Sequence, residues 1–233
     1  MSISMNNYIR DDIHRRGITR LCHFTQSRKF AHILGTTRAL LPTQELRERY
    51  PDLLDVTDTE RLDGHLGHVC CSIQYPNGWY FEKIRDKDPL FRDWVILTLD
   101  PSLLWERETL FSPRNAAAQR GSLIKGGWEG WLDVFQRSVA GAQGRTRSRT
   151  PQMLASCPTD DQAEALIPGP IPQSYITAVI VPDREKLLLE QARLRALDLE
   201  MTVEWRIAPD LFSISYSRMI RQGRFPPEEI ILP

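Results

Sequence analysis

Two short apolar runs, Trp94 to Leu99 and Ile176 to Val181, constrain this chain more than any other feature. Each is rich in Val, Ile and Leu, and the first is stopped by Asp100-Pro101, so both read as strands in the middle of a sheet. Further strands are expected at Ile18 to Phe24, Val69 to Ile73, Thr109 to Phe111 and Ala163 to Ile167. Thr202 to Ile207 alternates like an edge strand. Helices are expected over Gln26 to Leu34, between Thr25 and Gly35, and over Thr43 to Tyr50 and Asn77 to Lys83. Pro101 to Trp105 suits a helical turn. Lys125 to Ser138 carries Trp128, Trp131, Leu132 and Phe135 at helical spacing, and Asp183 to Leu199 has an Asp cap ahead of an amphipathic period.

Between these segments lie less regular stretches. Residues 1 to 17 read as a charged lead-in with one helical turn, and Thr36 to Leu66 as a long excursion of the kind that forms lids and binding loops. Gly141 to Thr150 is rich in Gly, Ser, Thr and Arg and reads as a flexible loop. In the tail from Pro209, Phe225-Pro226-Pro227 excludes a continuous helix. Nothing repeats and no domain boundary stands out, so residues 1–233 read as one domain.

A chain of 233 residues can bury a sizeable core, and 41% hydrophobic with 26% charged residues is ordinary for a soluble protein. No apolar run approaches the roughly 20 residues that span a bilayer. The polar start, Met1 to Arg16, lacks the apolar core of a signal peptide, so a cytoplasmic location is the default expectation. The four cysteines, Cys22, Cys70, Cys71 and Cys157, contain no Cys-x-x-Cys unit and read as buried free thiols rather than a zinc site. A formal net charge of zero argues against gripping nucleic acid through the overall field. Locally the balance differs: Val134 to Thr159 holds Arg137, Arg145, Arg147 and Arg149 and no acid.

Polar pairs at alternate positions supply the candidate chemistry. Gln162 and Glu164, two apart on an extended segment, point to one side and can address one ligand. His23 and Thr25 have the same relation, with Cys22 and Phe24 on the other face. Taken alone, Glu164 also fits a solvated strand edge and His23 a satisfied core histidine.

Four segments in order carry a wider likeness: Cys22-His23-Phe24-Thr25, Val69 to Asn77, Phe111 to Ala118, and Asp161 to Pro168. Over roughly Ile18 to Pro182 they resemble the ADP-ribosyltransferases, and among them the DarT toxins that modify DNA bases. The Ser72-Ile73-Gln74-Tyr75-Pro76-Asn77 segment departs from the wording of thymidine-directed members and is similar to the guanine-directed branch.

The resemblance implies an α+β ADP-ribosyltransferase fold, with a split central β-sheet and flanking helices, that binds NAD as ADP-ribose donor and needs no metal. It implies a catalytic Glu164, beside an oxocarbenium-like cation that a fixed carboxylate stabilises. It assigns His23 and Thr25 to the adenosine-side ribose, and sets Ser72, Asn77, Tyr80 and Gln162 around the cofactor, with Tyr75 and Trp79 as alternative stacking rings. Arg61 takes the place of an arginine near the pyrophosphate and the reacting centre, with Arg47 and Arg49 as competitors; it also fits a surface ion pair. Arg145, Arg147 and Arg149 fall in the target-recognition loop, where an arginine at every second position can follow a single-stranded phosphate backbone, although a solvated loop tip fits equally. Arg114 is a further candidate for the DNA side. The implied partners are single-stranded DNA and the macrodomain antitoxin DarG, with no membrane.

Overall fold

The computed structural model describes residues 2–54, 61–87, 90, 92–141, 144–199 and 203–231. Parts of five expected segments, residues 1, 55–60, 142–143, 202 and 232–233, lie outside the described residues.

In chain order the helices are α1 (Ser2–Arg16), α2 (Ser27–His32), α3 (Thr43–Arg49), α4 (Gly78–Ile84), α5 (Leu103–Glu106), α6 (Gly127–Val134), α7 (Arg184–Ala196) and α8 (Ser215–Arg221). The strands are β1 (Leu21–Gln26), β2 (Ala39–Leu40), β3 (His68–Ile73), β4 (Trp94–Leu99), β5 (Leu110–Ser112), β6 (Lys125–Gly126), β7 (Ser138–Ala140), β8 (Thr146–Ser148), β9 (Glu164–Pro168), β10 (Ile171–Pro172), β11 (Ile176–Val181), β12 (Glu204–Ile207) and β13 (Glu229–Ile231). Nine of them form one sheet in the order β13-β12-β11-β4-β1-β3-β9-β5-β6, while β2 pairs with β10 and β7 with β8. This is a mixed α+β fold, as expected.

The apolar runs that suggested central strands are β4 and β11, and both faces of each are covered. Val95, Leu97, Leu99, Val179 and Val181 belong to one buried cluster, with Ile9 and Ile13 of α1, Leu103 of α5, Trp131 of α6 and Leu187 of α7. Trp94, Ile96 and Ile180 belong to a second, with Phe81 of α4, Phe212 and Tyr216. A strand covered on both sides needs apolar residues on both pleats, which is why neither run alternates.

The sheet is split in its middle. β1 meets β4 in six consecutive antiparallel pairs, from Leu21↔Leu99 to Gln26↔Trp94, but meets β3 only at Leu21↔Ile73 and Cys22↔Ser72. Beyond those two pairs the strands part, and several of the candidate site residues border the opening.

Several expectations need correction. The N-terminal segment is a 15-residue helix rather than one turn. Its anchors are Ile9 and Ile13, four apart, together with buried Asp12, which accepts from Trp131 Nε1 at 2.8 Å. The expected edge strand is instead β12, paired in parallel to β11 and covered on its other side by β13. Arg20 and Arg206 both bond Glu228, just ahead of β13, and so fasten the proline-bearing tail to the sheet. The expected flexible loop from Gly141 holds β8, paired to β7 through Ser138↔Ser148, Val139↔Arg147 and Ala140↔Thr146.

Candidate active site

Glu164 opens β9, flanked in register by Ser72 of β3 and Ser112 of β5. The turn that delivers it is pinned from the C-terminal region: Asp161 accepts from Arg221 Nη2 at 3.0 Å, and Ser217 donates to the same carboxylate. Gln162 sits in this turn, its N–H bonded to Asp160 Oδ1 at 3.0 Å, so the expected strand-like alternation of Gln162 and Glu164 does not hold. Both residues nevertheless border the same cavity.

The Glu164 carboxylate is buried and held by protein donors. Oε2 accepts from the Ala116 N–H at 3.0 Å; Oε1 accepts from Asn115 Nδ2 at 3.3 Å and, more loosely, from Asn77 Nδ2 at 3.5 Å. Burial pushes its pKa up to about 7, against the pull of the Ala116 and Asn77 donors. Near neutral pH it therefore exists in both charge states, as suits a group that must be ionised to act and can also take up a proton.

His23 lies across the split. Its Nδ1–H donates to the Cys70 carbonyl at 3.0 Å, bridging the gap where the β1–β3 pairing has ended. That bond leaves Nε2 as the acceptor nitrogen of a neutral ring, and burial lowers the pKa so that the ring stays neutral.

Between these groups is a cavity of about 730 Å³. Consecutive residues from Cys22 to Gln26 and from His68 to Ser72 border it. Thr25, Ser72, Asn77, Tyr80 and Arg61 also border it, so every expected cofactor-binding residue is present around one hollow. Such a volume suits a ligand of dinucleotide size.

Individual residues differ from expectation in how they are engaged. Asn77 is the N-cap of α4, accepting from the Tyr80 N–H at 3.0 Å while its amide nitrogen faces Glu164. The left-handed turn at Gln74 (φ 67°) carries the chain from β3 to this cap. Tyr80 packs against Phe24, ring centroids 6.0 Å apart, and Tyr75 is core. Arg61 is not a surface ion pair. Its Nε donates to Asp63 at 3.0 Å, Nη1 to Thr43 Oγ1 and the His68 carbonyl, and Nη2 to the His65 carbonyl and Cys70 Sγ. Every N–H of the fork expected at a pyrophosphate is thus directed at protein. Arg47 and Arg49 are exposed on α3 and do not border the cavity.

The arginine segment divides. Arg149 turns inward, donating to the Cys157 carbonyl at 2.6 Å and the Leu154 carbonyl at 3.0 Å. It anchors the hairpin from within. Arg145 is exposed, and the Arg147 guanidinium lies 5.6 Å from the ring centroid of Trp79, which borders the cavity. Arg114 also borders the cavity and donates to the Ala140 carbonyl at 3.1 Å. The β7–β8 hairpin therefore touches the cavity rim at two points. Sequence reasoning missed Asn115 and Ala116 as partners of Glu164, although both lie inside a segment it had singled out.

All four cysteines are free. Among the described residues, no group of three or more His, Cys, Asp or Glu is placed to hold a metal ion, and no helix is long and apolar enough to cross a membrane.

Comparison with curated proteins gave no match. Among solved structures, Thermus sp. 2.9 DarT in complex with ADP-ribosylated ssDNA is similar over 84% of this chain and 97% of its own, with a TM-score of 0.55 and 14% identity. The same protein in complex with NAD+ has a TM-score of 0.55 at 14% identity, over 83% of this chain and 97% of its own. Thermosipho africanus DarTG in complex with ADP-ribose has a TM-score of 0.57 at 15% identity, over 83% of this chain and 51% of its own. At these identities the likeness is one of fold. The family model described as ssDNA thymidine ADP-ribosyltransferase, DarT, matches residues 22–212, and on that match, over most of its length, the chain belongs to the DarT family.

Proposed function

We propose that this chain binds NAD in the split of its sheet and transfers ADP-ribose to a base of single-stranded DNA, releasing nicotinamide, with guanine the favoured base. The observation that carries the reading is that the Glu164 carboxylate and the His23 imidazole border one cavity of about 730 Å³ from opposite sides of the opening. The NAD+ and ADP-ribosylated-DNA complexes of the Thermus protein, which has the same fold, support it.

In this reading the bond between nicotinamide and C1′ of its ribose breaks, and the positive charge gathers on the ribose. Glu164, ionised, stabilises that cation; a nitrogen of the base then attacks C1′, and its proton passes to the carboxylate. His23 Nε2 accepts from a hydroxyl of the adenosine-side ribose, with Thr25 beside it. Ser72, Tyr80 and Gln162 shape the remainder of the cofactor's bed, and Arg61 holds the loop that forms one wall. Arg145, Arg147 and Arg114 lie on the DNA side. Guanine is favoured because the Ser72 to Asn77 segment is similar to the guanine-directed branch, whereas the family description names thymidine. The partner that restrains the enzyme is proposed to be a DarG macrodomain, in keeping with the DarTG structure.

The test is mass spectrometry of single-stranded oligonucleotides that differ in one base after incubation with the chain and NAD. A mass gain of one ADP-ribose on the guanine-containing strand is expected. Gain on the thymine strand alone would move the base assignment, and label on RNA or protein alone would reject the DNA reading.

A further inference from the structure

Two asparagines from different parts of the chain converge on one oxygen of Glu164. Asn115 follows β5, and its Oδ1 accepts from the Ala117 N–H at 3.1 Å. Asn77 caps α4, and its Oδ1 accepts from the Tyr80 N–H at 3.0 Å. A backbone donor thus fixes which end of each amide is oxygen, so each must present its NH2 to Glu164 Oε1. The Ala116 N–H, next to Asn115, holds Oε2. From this geometry we infer that Asn115 and Asn77 are positioning residues, which aim the Glu164 carboxylate at the donor ribose and favour its ionised form.

The inference rests on the proposed role of Glu164. It also explains what the Phe111 to Ala118 segment contributes, since one of its side chains and the next backbone N–H grip both carboxylate oxygens. A donor to the charged form favours that form, so losing one raises the pKa of Glu164. The charged and titratable groups around the carboxylate are Arg61 and Asp63, from the loop before β3, and Cys70 and Cys71 on β3. Arg61 is paired with Asp63, and burial raises both thiols so that they stay neutral at working pH. Glu164 is then the group that sets the acid limb of activity.

Asn115→Asp and Asn77→Asp keep the oxygen that each turn or cap requires while replacing the NH2 donor by an acceptor. In single-turnover transfer to the oligonucleotide, the acid limb of each variant should move to higher pH by about one unit or more, from the loss of a charge-assisted hydrogen bond. Activity should be depressed at pH 7 and largely recovered at pH 9, and for Asn115→Asp the NAD affinity should stay within about twofold of the parent. Asn115→Ala, matched to the parent in thermal unfolding, should shift the limb the same way without adding a charge. Glu164→Gln separates the two claims. If Glu164→Gln still transfers, the catalytic reading fails; if it is inactive while the asparagine variants keep the parental pH profile, or lose activity equally at all pH values, the positioning role is overturned.

Discussion

Glu164 and His23 reach the same cavity although β3 lies between their strands. Ser72 of β3 is the partner of both Cys22 and Glu164, and one residue beyond Cys22 the β1–β3 pairing ends, leaving the His23 ring to bridge to the Cys70 carbonyl. The break in pairing creates the hollow, and the imidazole marks its edge. From this relation and the bonds around it, four outcomes follow.

The rate of transfer should rise about tenfold per pH unit below pH 7 and level above it, because the Glu164 pKa lies at about 7 and the ionised form acts. His23 contributes no second limb near neutrality, since burial keeps it neutral. A pH profile of single-turnover transfer checks both points.

Removing the buried carboxylate should stabilise the protein at alkaline pH. The folded-state pKa of Glu164 is raised above its unfolded value near 4.5, so folding binds a proton between those values and stability falls as pH rises through that window. Glu164→Gln should therefore unfold at higher denaturant than the parent at pH 8, by on the order of 2 to 3 kcal/mol, with the difference vanishing near pH 4. Denaturant titrations at both pH values measure it.

Arg61→Ala should cost about 3 kcal/mol of stability, because it leaves the buried Asp63 carboxylate without its cation and frees the carbonyls of His65 and His68. Thermal unfolding of the variant without ligand reads this directly. A residue acting chiefly on the cofactor would instead leave the free protein unaffected when removed.

Arg147→Ala should weaken oligonucleotide binding and reduce the slope of its salt dependence by about one, while leaving NAD binding unchanged. Arg149→Ala should act on stability instead, since its guanidinium is bonded to the carbonyls of Leu154 and Cys157. Fluorescence anisotropy at several salt concentrations, with unfolding curves for both variants, separates the two arginines.

The fold was legible where local pattern and packing agree. The runs Trp94 to Leu99 and Ile176 to Val181 are the strands β4 and β11, and Asp183 caps α7 as its position before a charged turn suggests. Helix α1 was not legible, since the residues that tie it down, among them Ile9, Asp12, Ile13 and Arg16, find partners such as Leu103, Trp131 and Phe135 about 90 residues or more away. The β7–β8 hairpin was hidden for a related reason: polar sequence reads as loop, while its strands are fixed by pairing and by Arg149 bonding carbonyls further along the chain. At the site, the ordered motifs named the residues that border the cavity. They did not reveal which face the ligand and which face other protein groups. The acids that flank Arg61 in sequence fit a surface ion pair as well as a ligand-side arginine, yet besides Asp63 it bonds Thr43 and the carbonyls of His65 and His68, which only the folded loop brings together.

The most direct test of the central claim is a crystal structure of the chain with a non-hydrolysable NAD analogue. The dinucleotide should lie in the split between β1 and β3, with C1′ of the nicotinamide ribose within about 3.5 Å of the Glu164 carboxylate and a ribose hydroxyl on His23 Nε2. An analogue bound elsewhere, or bound in the split with its nicotinamide ribose remote from Glu164, would contradict it.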